Sequence, residues 1–323
     1  MTHTPAPIFT DIHPGPDPAS AYWAETSDGI RIRVGVWEKP GARGTVLIFP
    51  GRTEYIEKYG DAAAEFAARG LASLAVDWRG QGLADRLIDD PLTGHVEHFP
   101  DYQKDVAAVM RIARSLNMPR PYFLVAHSMG GCIGLRAVME GLSVQAAAFT
   151  GPMWGIHISR HMRLPAQILS TLMPKLNQGH RLPFGTTAEP YVLTSSFDDN
   201  MLTTDEEMFD MMRDQIIAHP ELQLGGPSYI WLREALAETK HLSQRAAPNL
   251  PSIAFVGSNE RIVDVPRIHK RMETWKGGQL RLVEGGEHEV LMELPAIRTP
   301  VFDEISALFL NTPARAGPAR RPA

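Results

Sequence analysis

A serine, a carboxylate and a histidine stand at three loop positions that suit acyl-transfer chemistry. The segment 122–131 is a short apolar run that ends at Ser128, with small residues directly after it. This order is typical of a nucleophile elbow, the tight strand-to-helix turn that raises a serine hydroxyl above a sheet. The backbone N–H of Met129, next in the chain, would then point at a developing oxyanion. Alternatively, Ser128 is an ordinary helix N-cap, which needs no chemistry.

The candidate general base is a histidine late in the chain. His288 follows a strand predicted at 279–283 and a pair of glycines, so its loop can carry the ring over a serine. Two acids that could orient the ring follow the strand predicted at 252–256. Glu260 lies within that loop, whereas Asp264 directly precedes a predicted helix and is also explained as its N-cap. We favour Glu260 and keep Asp264 as the alternative; either gives the order serine, acid, histidine of α/β-hydrolases.

A second oxyanion donor in this arrangement comes from the loop after an early strand. The strand predicted at 45–49 ends in Pro50, Gly51 and Arg52. Gly51 permits a close backbone approach, and the N–H of Arg52 is the candidate donor. The alternative is a plain turn, because Pro-Gly pairs favour turns in any protein.

The elements that must position these residues alternate along the chain. Short and nearly continuous apolar runs predict strands buried on both faces, as in a parallel sheet; they cover 45–49, 72–76, 122–126, 146–149 and 252–256. An alternating pattern at 30–36 predicts a strand with one buried face. Segments of helical periodicity separate the strands. We therefore predict an α/β fold, with a mostly parallel central sheet flanked by helices.

The alternation stops between about residues 152 and 247, which read as helix and loop. We predict a helical cap here, inserted between two parts of the core at 21–151 and 248–311. Such a cap would cover the carboxyl ends of the strands, where ligands bind in open α/β folds. Residues 1–20 contain five prolines and are predicted to form an extended arm, and 312–323 a disordered tail.

Composition narrows the class of protein. The 323 residues are 44% hydrophobic and 21% charged, with a net charge of −5, so the chain is globular and lacks the basic surface of a nucleic-acid-binding protein. One cysteine, Cys132, excludes an intrachain disulfide and favours a reducing compartment. With no export signal and no membrane-length apolar run, we expect a cytoplasmic protein, and peripheral contact with the inner membrane stays open.

No metal or cofactor is predicted. His157 and His161 have the spacing of a zinc-binding helix but lack the glutamate that follows the first histidine in such helices. No G-x-G-x-x-G follows an early strand, which disfavours a dinucleotide-dependent oxidoreductase.

Four motifs resemble those of the bacterial lysophospholipase and monoacylglycerol lipase group of α/β-hydrolases. They are GRTEYIEKY at 51–59, DWRGQG at 77–82, AHSMGG at 126–131 and GEH at 286–288. The segments 200–205 and 225–232 are similar to the cap pattern of that group. The resemblance implies that Ser128 is the nucleophile, that His288 is the base and that the N–H groups of Arg52 and Met129 hold the oxyanion.

Three positions depart from the usual pattern of that family or of the elbow. Pro50 stands where the family usually has histidine, Ala126 replaces the first glycine of the elbow, and Glu260 replaces the usual aspartate. A glutamate reaches one methylene further, so its loop must lie slightly back.

The sequence thus predicts a serine hydrolase that cleaves carboxylic esters of monoacyl lipids, lysophospholipids or monoacylglycerols, through an acyl-enzyme. Seven of the fourteen methionines fall in the predicted cap, and methionine adapts to varied apolar shapes. Met153, Leu169 and Met173 are the candidate substrate contacts, although packing of the cap would also explain them. Two alternatives remain: a short-chain carboxylesterase, thioesterase or peptidase of the same fold, and a hydrolase-like binding protein without turnover.

Overall fold

A mixed sheet forms the centre of the molecule. The computed structural model describes residues 3–313, and nine strands of this part of the chain share one sheet. The strands are β1 (Pro5–Ala6), β2 (Ala19–Glu25), β3 (Arg31–Trp37), β4 (Thr45–Phe49), β5 (Ala72–Asp77), β6 (Tyr122–His127), β7 (Ala147–Thr150), β8 (Ser252–Gly257) and β9 (Gly278–Val283). Their order is β1-β2-β3-β5-β4-β6-β7-β8-β9. From β4 onward the strands run parallel to one another, while β1, β2 and β3 join antiparallel.

The α-helices of the described chain are α1 (Gly60–Ala68), α2 (Tyr102–Ser115), α3 (Ser128–Met139), α4 (Arg160–Lys175), α5 (Tyr191–Thr194), α6 (Glu206–Ala218), α7 (Tyr229–Ser243), α8 (Val265–Glu273) and α9 (Pro295–Asn311). Those outside residues 152–247 cover the two faces of the sheet. One apolar layer contains side chains of α2, α3 and α8, and the other contains side chains of α1 and α9. The predicted α/β fold, with a mostly parallel sheet flanked by helices, is confirmed.

The pleat of β4 shows how the sequence fills both layers. Leu47 and Phe49 belong to one apolar layer, and Val46 and Ile48 belong to the other. Successive side chains of a strand point to opposite faces, so a strand with a helical layer on each side must be apolar throughout.

The chain order places two loops at a reversal of the sheet. β4 pairs with β5 on one side and with β6 on the other, so the connections after β4 and β6 leave the same edge in opposite directions. The carboxyl ends of parallel strands at such a switch point border a crevice in which ligands bind. Ser128 and the loop that begins at Pro50 both lie there.

The sequence did not predict the strands β1 and β2, which form the amino-terminal edge of the sheet. β2 begins at Ala19, so the sheet already includes the end of the segment 1–20, and β1 pairs with β2. Between β1 and β2, Phe9 stacks on His219 with ring centroids 3.7 Å apart, and Asp11 lies 2.8 Å from the His219 ring. The segment predicted as a cap, 152–247, contains α4 to α7 and no named strand. Of the tail predicted at 312–323, residues 314–323 lie outside the described residues.

Candidate active site

Ser128 occupies the turn between β6 and α3. Its φ is +49°, a left-handed conformation that side-chain-bearing residues rarely adopt. A serine held in this way at a strand-to-helix turn is the geometry of a nucleophile elbow. The elbow is fixed on its far side by the N–H of Met153, which donates to the Ser128 carbonyl at 2.8 Å.

The small residues after Ser128 let α3 start against its neighbours. A Cβ at Gly130 would collide with the carbonyl oxygens of Phe49 and Pro50, and one at Gly131 would lie 2.6 Å from Cβ of Pro152. Any larger residue at these two positions would push the helix off the sheet.

The alanine that replaces the first glycine of the elbow has a matching glycine opposite it. Ala126 is fully buried, and a Cβ at Gly134 would lie 3.1 Å from the Ala126 methyl and 3.0 Å from Cδ2 of Leu124. The methyl group of Ala126 therefore fits because the residue opposite it in α3 is a glycine.

His288 lies in the loop after β9, and its ring contacts Glu260, which lies in the loop after β8. The His288 Nδ1 lies 2.6 Å from Oε2 of Glu260, and both side chains are buried. Gly151 makes room for the ring, because a Cβ there would lie 2.9 Å from the same Nδ1. This contact leaves Nε2 as the nitrogen available to a substrate or a nucleophile.

Glu260 is held as a carboxylate. Its Oε1 accepts hydrogen bonds from the N–H of Ile262 at 2.7 Å and of Val263 at 3.1 Å. Burial opposes ionisation, but His288 and these two amides together lower the pKa of Glu260 below its ordinary value. Asp264, the alternative acid, instead lies 3.6 Å from Arg267 and 3.8 Å from Arg163.

The loop after β4 lies directly against Ser128. A Cβ at Gly51 would lie 3.0 Å from Cβ of Ser128. The N–H of Gly51 donates to Oε2 of Glu54, which also accepts the hydroxyl of Tyr59 at 2.6 Å. These bonds fix the turn at Gly51, directly before Arg52, whose N–H is the predicted second oxyanion donor.

A buried ionic cluster supports both loops. The Lys58 ammonium lies 2.5 Å from Glu54 and 2.6 Å from Glu289, and the Nε2 of His127 lies 3.2 Å from Glu289. Burial alone would lower the pKa of His127, but Glu289 and Glu54 raise it above its ordinary value. The same cations hold the pKa of Glu289 well below its usual range. The His127 ring lies 4.7 Å from the ring of His288, so the cluster packs against the site.

Three members of this cluster have the chemistry of metal ligands. Ligand atoms of Glu54, His127 and Glu289 lie within 4.8 Å of one another. Lys58 already donates to both carboxylates and supplies the positive charge that a metal ion would bring. The cluster is therefore explained as a buried ion-pair network.

Ser128 and His288 line one cavity of about 360 Å³ between the core and the predicted cap. A cavity of this size is typical of small-molecule sites, which are mostly apolar with a few polar groups. Its apolar lining includes Met153, Ile156, Val192, Met201, Leu202, Met212, Ile216, Leu222, Leu224, Trp231, Leu232, Ile262 and Val263.

The three residues predicted to contact substrate are separated. Met153 lines the cavity, whereas Leu169 and Met173 do not. Both lie partly buried on α4, which packs against α7. An apolar face that packs on another helix has the same residue types as one that lines a pocket, so the sequence could not separate the two cases.

Sequence reasoning missed the residues that support the site. His127, Glu54, Lys58 and Glu289 are buried polar groups, and no periodic pattern reports such a cluster. One signal was available, because three of them lie next to or inside the motifs at 51–59 and 126–131. Gly151 had a signal too, as a glycine directly after β7.

Known proteins agree with this architecture. The family model for serine aminopeptidase, S33 (Hydrolase_4), matches residues 40–295. Lysophospholipase L2 of Escherichia coli strain K12 is 31% identical over 277 residues, which cover 82% of this chain and 79% of that protein. Probable lysophospholipase L2 of Haemophilus influenzae is 28% identical over 272 residues, with 83% and 84% covered.

A solved structure gives the same result for the fold. A soluble variant of monoglyceride lipase from Saccharomyces cerevisiae, crystallised with a substrate analogue, has a TM-score of 0.69 and 20% identity; the match covers 90% of this chain and 95% of that one. The family resemblance predicted from the four motifs is confirmed. The chain belongs to the α/β-hydrolases, in the group that contains the lysophospholipases and the monoglyceride lipases.

Proposed function

We propose that this protein is a serine ester hydrolase that cleaves monoacyl lipids, lysophospholipids or monoacylglycerols, through an acyl-enzyme. One observation carries the proposal: Ser128 and His288 line the same apolar cavity, and His288 is paired through Nδ1 with Glu260. Family membership supports the same chemistry, since the relatives are named as lysophospholipases.

In the first half of the reaction, the Ser128 hydroxyl attacks the ester carbonyl. The Nε2 of His288 accepts its proton, and Glu260 stabilises the imidazolium that forms. The amides of Arg52 and Met129 bind the negative oxygen of the tetrahedral intermediate, and the start of α3 adds the positive end of its dipole. The imidazolium then gives its proton to the glycerol oxygen as the carbon–oxygen bond breaks.

In the second half, water replaces the alcohol. His288 takes a proton from the water as its oxygen attacks the acyl carbon, and the same oxyanion donors act again. Collapse of this intermediate returns the proton to Ser128 and releases the fatty acid. The same three side chains serve both halves.

The cavity lining supports a lipid acyl group as the substrate part that enters it. Met153, Met201 and Met212 bring three flexible apolar side chains to the lining, and such residues adapt to chains of varied length. A short ester would leave much of this surface uncovered. The site therefore favours a monoacyl lipid over the short-chain esters considered above.

We also propose peripheral contact with the inner membrane, through α4. No helix of residues 3–313 has the length and apolar character required to cross a bilayer. However, Leu164, Ile168 and Leu172 follow one another at four-residue spacing and are 65%, 52% and 44% exposed. Basic residues at both ends of α4 suit anionic lipid, as in helices that lie on a membrane surface. A cytoplasmic location accords with the single free cysteine.

Substitution of the nucleophile tests the proposed reaction. We expect Ser128→Ala to lose hydrolysis of monoacyl lipids by about 10³-fold or more and to lose labelling by a fluorophosphonate. Ser159→Ala, at an exposed serine outside the cavity, is the matched control and should keep both. Full labelling of Ser128→Ala would refute the assignment, and wild-type protein without turnover of any ester would favour a binding protein.

A further inference from the structure

Arg52 supplies the cavity with a positive charge that no acid neutralises. Arg52 lines the cavity, and no carboxylate of residues 3–313 forms an ion pair with its side chain. The guanidinium donates one hydrogen bond, from Nη1 to the carbonyl oxygen of Gly225 at 2.6 Å, and lies 5.8 Å from the centre of the Trp231 ring. Burial lowers the pKa of Arg52 to about 10, which leaves it charged at neutral pH.

The other ionisable groups of the cavity wall are compensated. Lys58 and His127 lie between Glu54 and Glu289, so both have carboxylate partners. The remaining histidine, His288, has Glu260 as its partner. Among the charged groups of the lining, Arg52 is thus the one for which the described residues supply no ion-pair partner, and its guanidinium is a local site for an anion.

Most N–H donors of the Arg52 guanidinium form no hydrogen bond within the described part of the chain. Arginine carries five N–H donors, and among the described residues Arg52 spends one of them on Gly225. Its nitrogens are also absent from the buried polar atoms without partners, so the free donors reach accessible space. A planar fork of free donors is the group that matches a phosphate.

We propose that the Arg52 guanidinium binds the phosphate of a lysophospholipid headgroup and thereby makes the enzyme prefer lysophospholipids to monoacylglycerols. The inference rests on the proposed function, because it concerns the alcohol side of the same ester. A monoacylglycerol has the same glycerol and the same acyl chain but no anion, and it leaves the guanidinium without a partner.

The position of Arg52 in the chain supports this assignment. Its backbone N–H is the proposed oxyanion donor, so its side chain starts at the reacting carbonyl and ends one side-chain length away. The phosphate of a lysophospholipid lies one glycerol backbone away from that carbonyl. A single residue can therefore contact both groups, and in doing so it fixes the direction in which the lipid enters.

A purely structural role for Arg52 is the competing explanation, because its hydrogen bond to Gly225 ties the cap to the core. Arg86 offers a matched control. It also lacks a carboxylate partner, and its Nη2 donates to the carbonyls of Glu221 and Gln223 in the same cap segment, at 3.2 and 3.4 Å. Unlike Arg52, it does not line the cavity.

The test compares kcat/KM for 1-palmitoyl lysophosphatidylglycerol and for 1-palmitoylglycerol. We expect Arg52→Gln to lower the preference for the phosphate-bearing lipid by about tenfold or more, since a charge-assisted hydrogen bond is lost. Arg52→Lys should recover part of that preference, and Arg86→Gln should leave it unchanged. An equal loss on both lipids in Arg52→Gln, or an equal change of preference in Arg86→Gln, would overturn the inference.

A binding measurement covers the case in which Arg52→Gln is inactive on both lipids. Hydrolysis of p-nitrophenyl butyrate by wild-type protein should be inhibited at least tenfold more strongly by monododecyl phosphate than by dodecanol. Laurate distinguishes the headgroup phosphate from the carboxylate of the released acid: inhibition by laurate that equals that of the phosphate would contradict the assignment, as would equal inhibition by phosphate and alcohol. Failure of the proposed function would look different, since wild-type protein would then hydrolyse neither lipid.

Discussion

Glu260 divides its two carboxylate oxygens between His288 and its own loop. Oε2 lies 2.6 Å from Nδ1 of His288, while Oε1 accepts two backbone amides. The loop amides fix the carboxylate from behind, and the extra methylene of glutamate carries it forward to the ring. The departure from aspartate at this position is thus matched by the loop that holds it.

We predict that Glu260→Gln lowers kcat on a monoacyl lipid by about 10³-fold or more, because a neutral amide cannot stabilise the imidazolium. Glu260→Asp should lose less, about tenfold, since it keeps the charge but falls one methylene short. Asp264→Asn is the matched control, and we expect activity near that of the wild type. Steady-state kinetics on one lipid measures all three; loss of activity in Asp264→Asn with retention in Glu260→Gln would reverse the assignment of the acid.

The fit between Ala126 and Gly134 predicts a coupled pair. Gly134→Ala adds a methyl 3.1 Å from that of Ala126 and should lower the free energy of unfolding by about 1–2 kcal/mol, typical of overpacking. In an Ala126→Gly background the same change should cost less, by about 0.5–1 kcal/mol. Urea unfolding of the four proteins in this cycle gives the coupling. Additive effects would show that the two positions do not restrict each other.

The buried cluster predicts a pH-dependent contribution of His127 to stability. Glu54, Glu289, Lys58 and the hydroxyl of Thr150 face this ring. Burial and the Lys58 ammonium oppose a positive charge on it, but the two carboxylates outweigh them and raise the pKa of His127 in the folded state. A raised pKa stabilises the fold below the ordinary histidine value of about 6.5, and this stabilisation is lost as the pH rises through the folded value.

The difference in unfolding free energy between wild type and His127→Gln should therefore be larger at pH 6 than at pH 9. The pKa of Glu289 is lowered and that of Lys58 is raised, so neither changes charge in this window. His98→Gln, at an exposed histidine, serves as the comparison. A difference that grows with pH would contradict the direction of the shift.

The exposed stripe on α4 predicts binding to lipid vesicles. Replacement of Leu164, Ile168 and Leu172 by serine should weaken binding to anionic vesicles about tenfold or more, because three exposed apolar side chains no longer enter the bilayer. The melting temperature should change little. Leu282→Ser, at a 61% exposed leucine of β9, is the control. Unchanged cosedimentation of the triple variant would exclude α4 as the contact.

The parallel part of the sheet was predictable from the sequence because burial on both faces leaves an unbroken apolar run. Thr45–Phe49 is such a run, and the predicted bounds of β4 equal those observed. β2 was missed because it lies near the antiparallel edge, where Ala19 and Ser20 are only partly buried and give no such run. Pairing with β3, which is non-local, decides its conformation.

The candidate site likewise contains residues that the sequence predicted and residues that it did not. Ser128 and His288 follow predicted strands, and loops at one edge of a parallel sheet lie near one another, so a cavity that both residues line was predictable. The choice between Glu260 and Asp264 depended on loop geometry, which one sequence does not encode in any periodic pattern. Lys58 was not predicted, because only the folded structure brings it between the two carboxylates that allow a lysine to be buried.

The stacking of Phe9 on His219 joins the chain before β2 to the segment predicted as the cap, directly after α6. Any outward swing of α6 must break this stack and the contact of Asp11 with the same ring. Residues that precede the first parallel strand and lie outside the catalytic cavity would therefore resist such a movement.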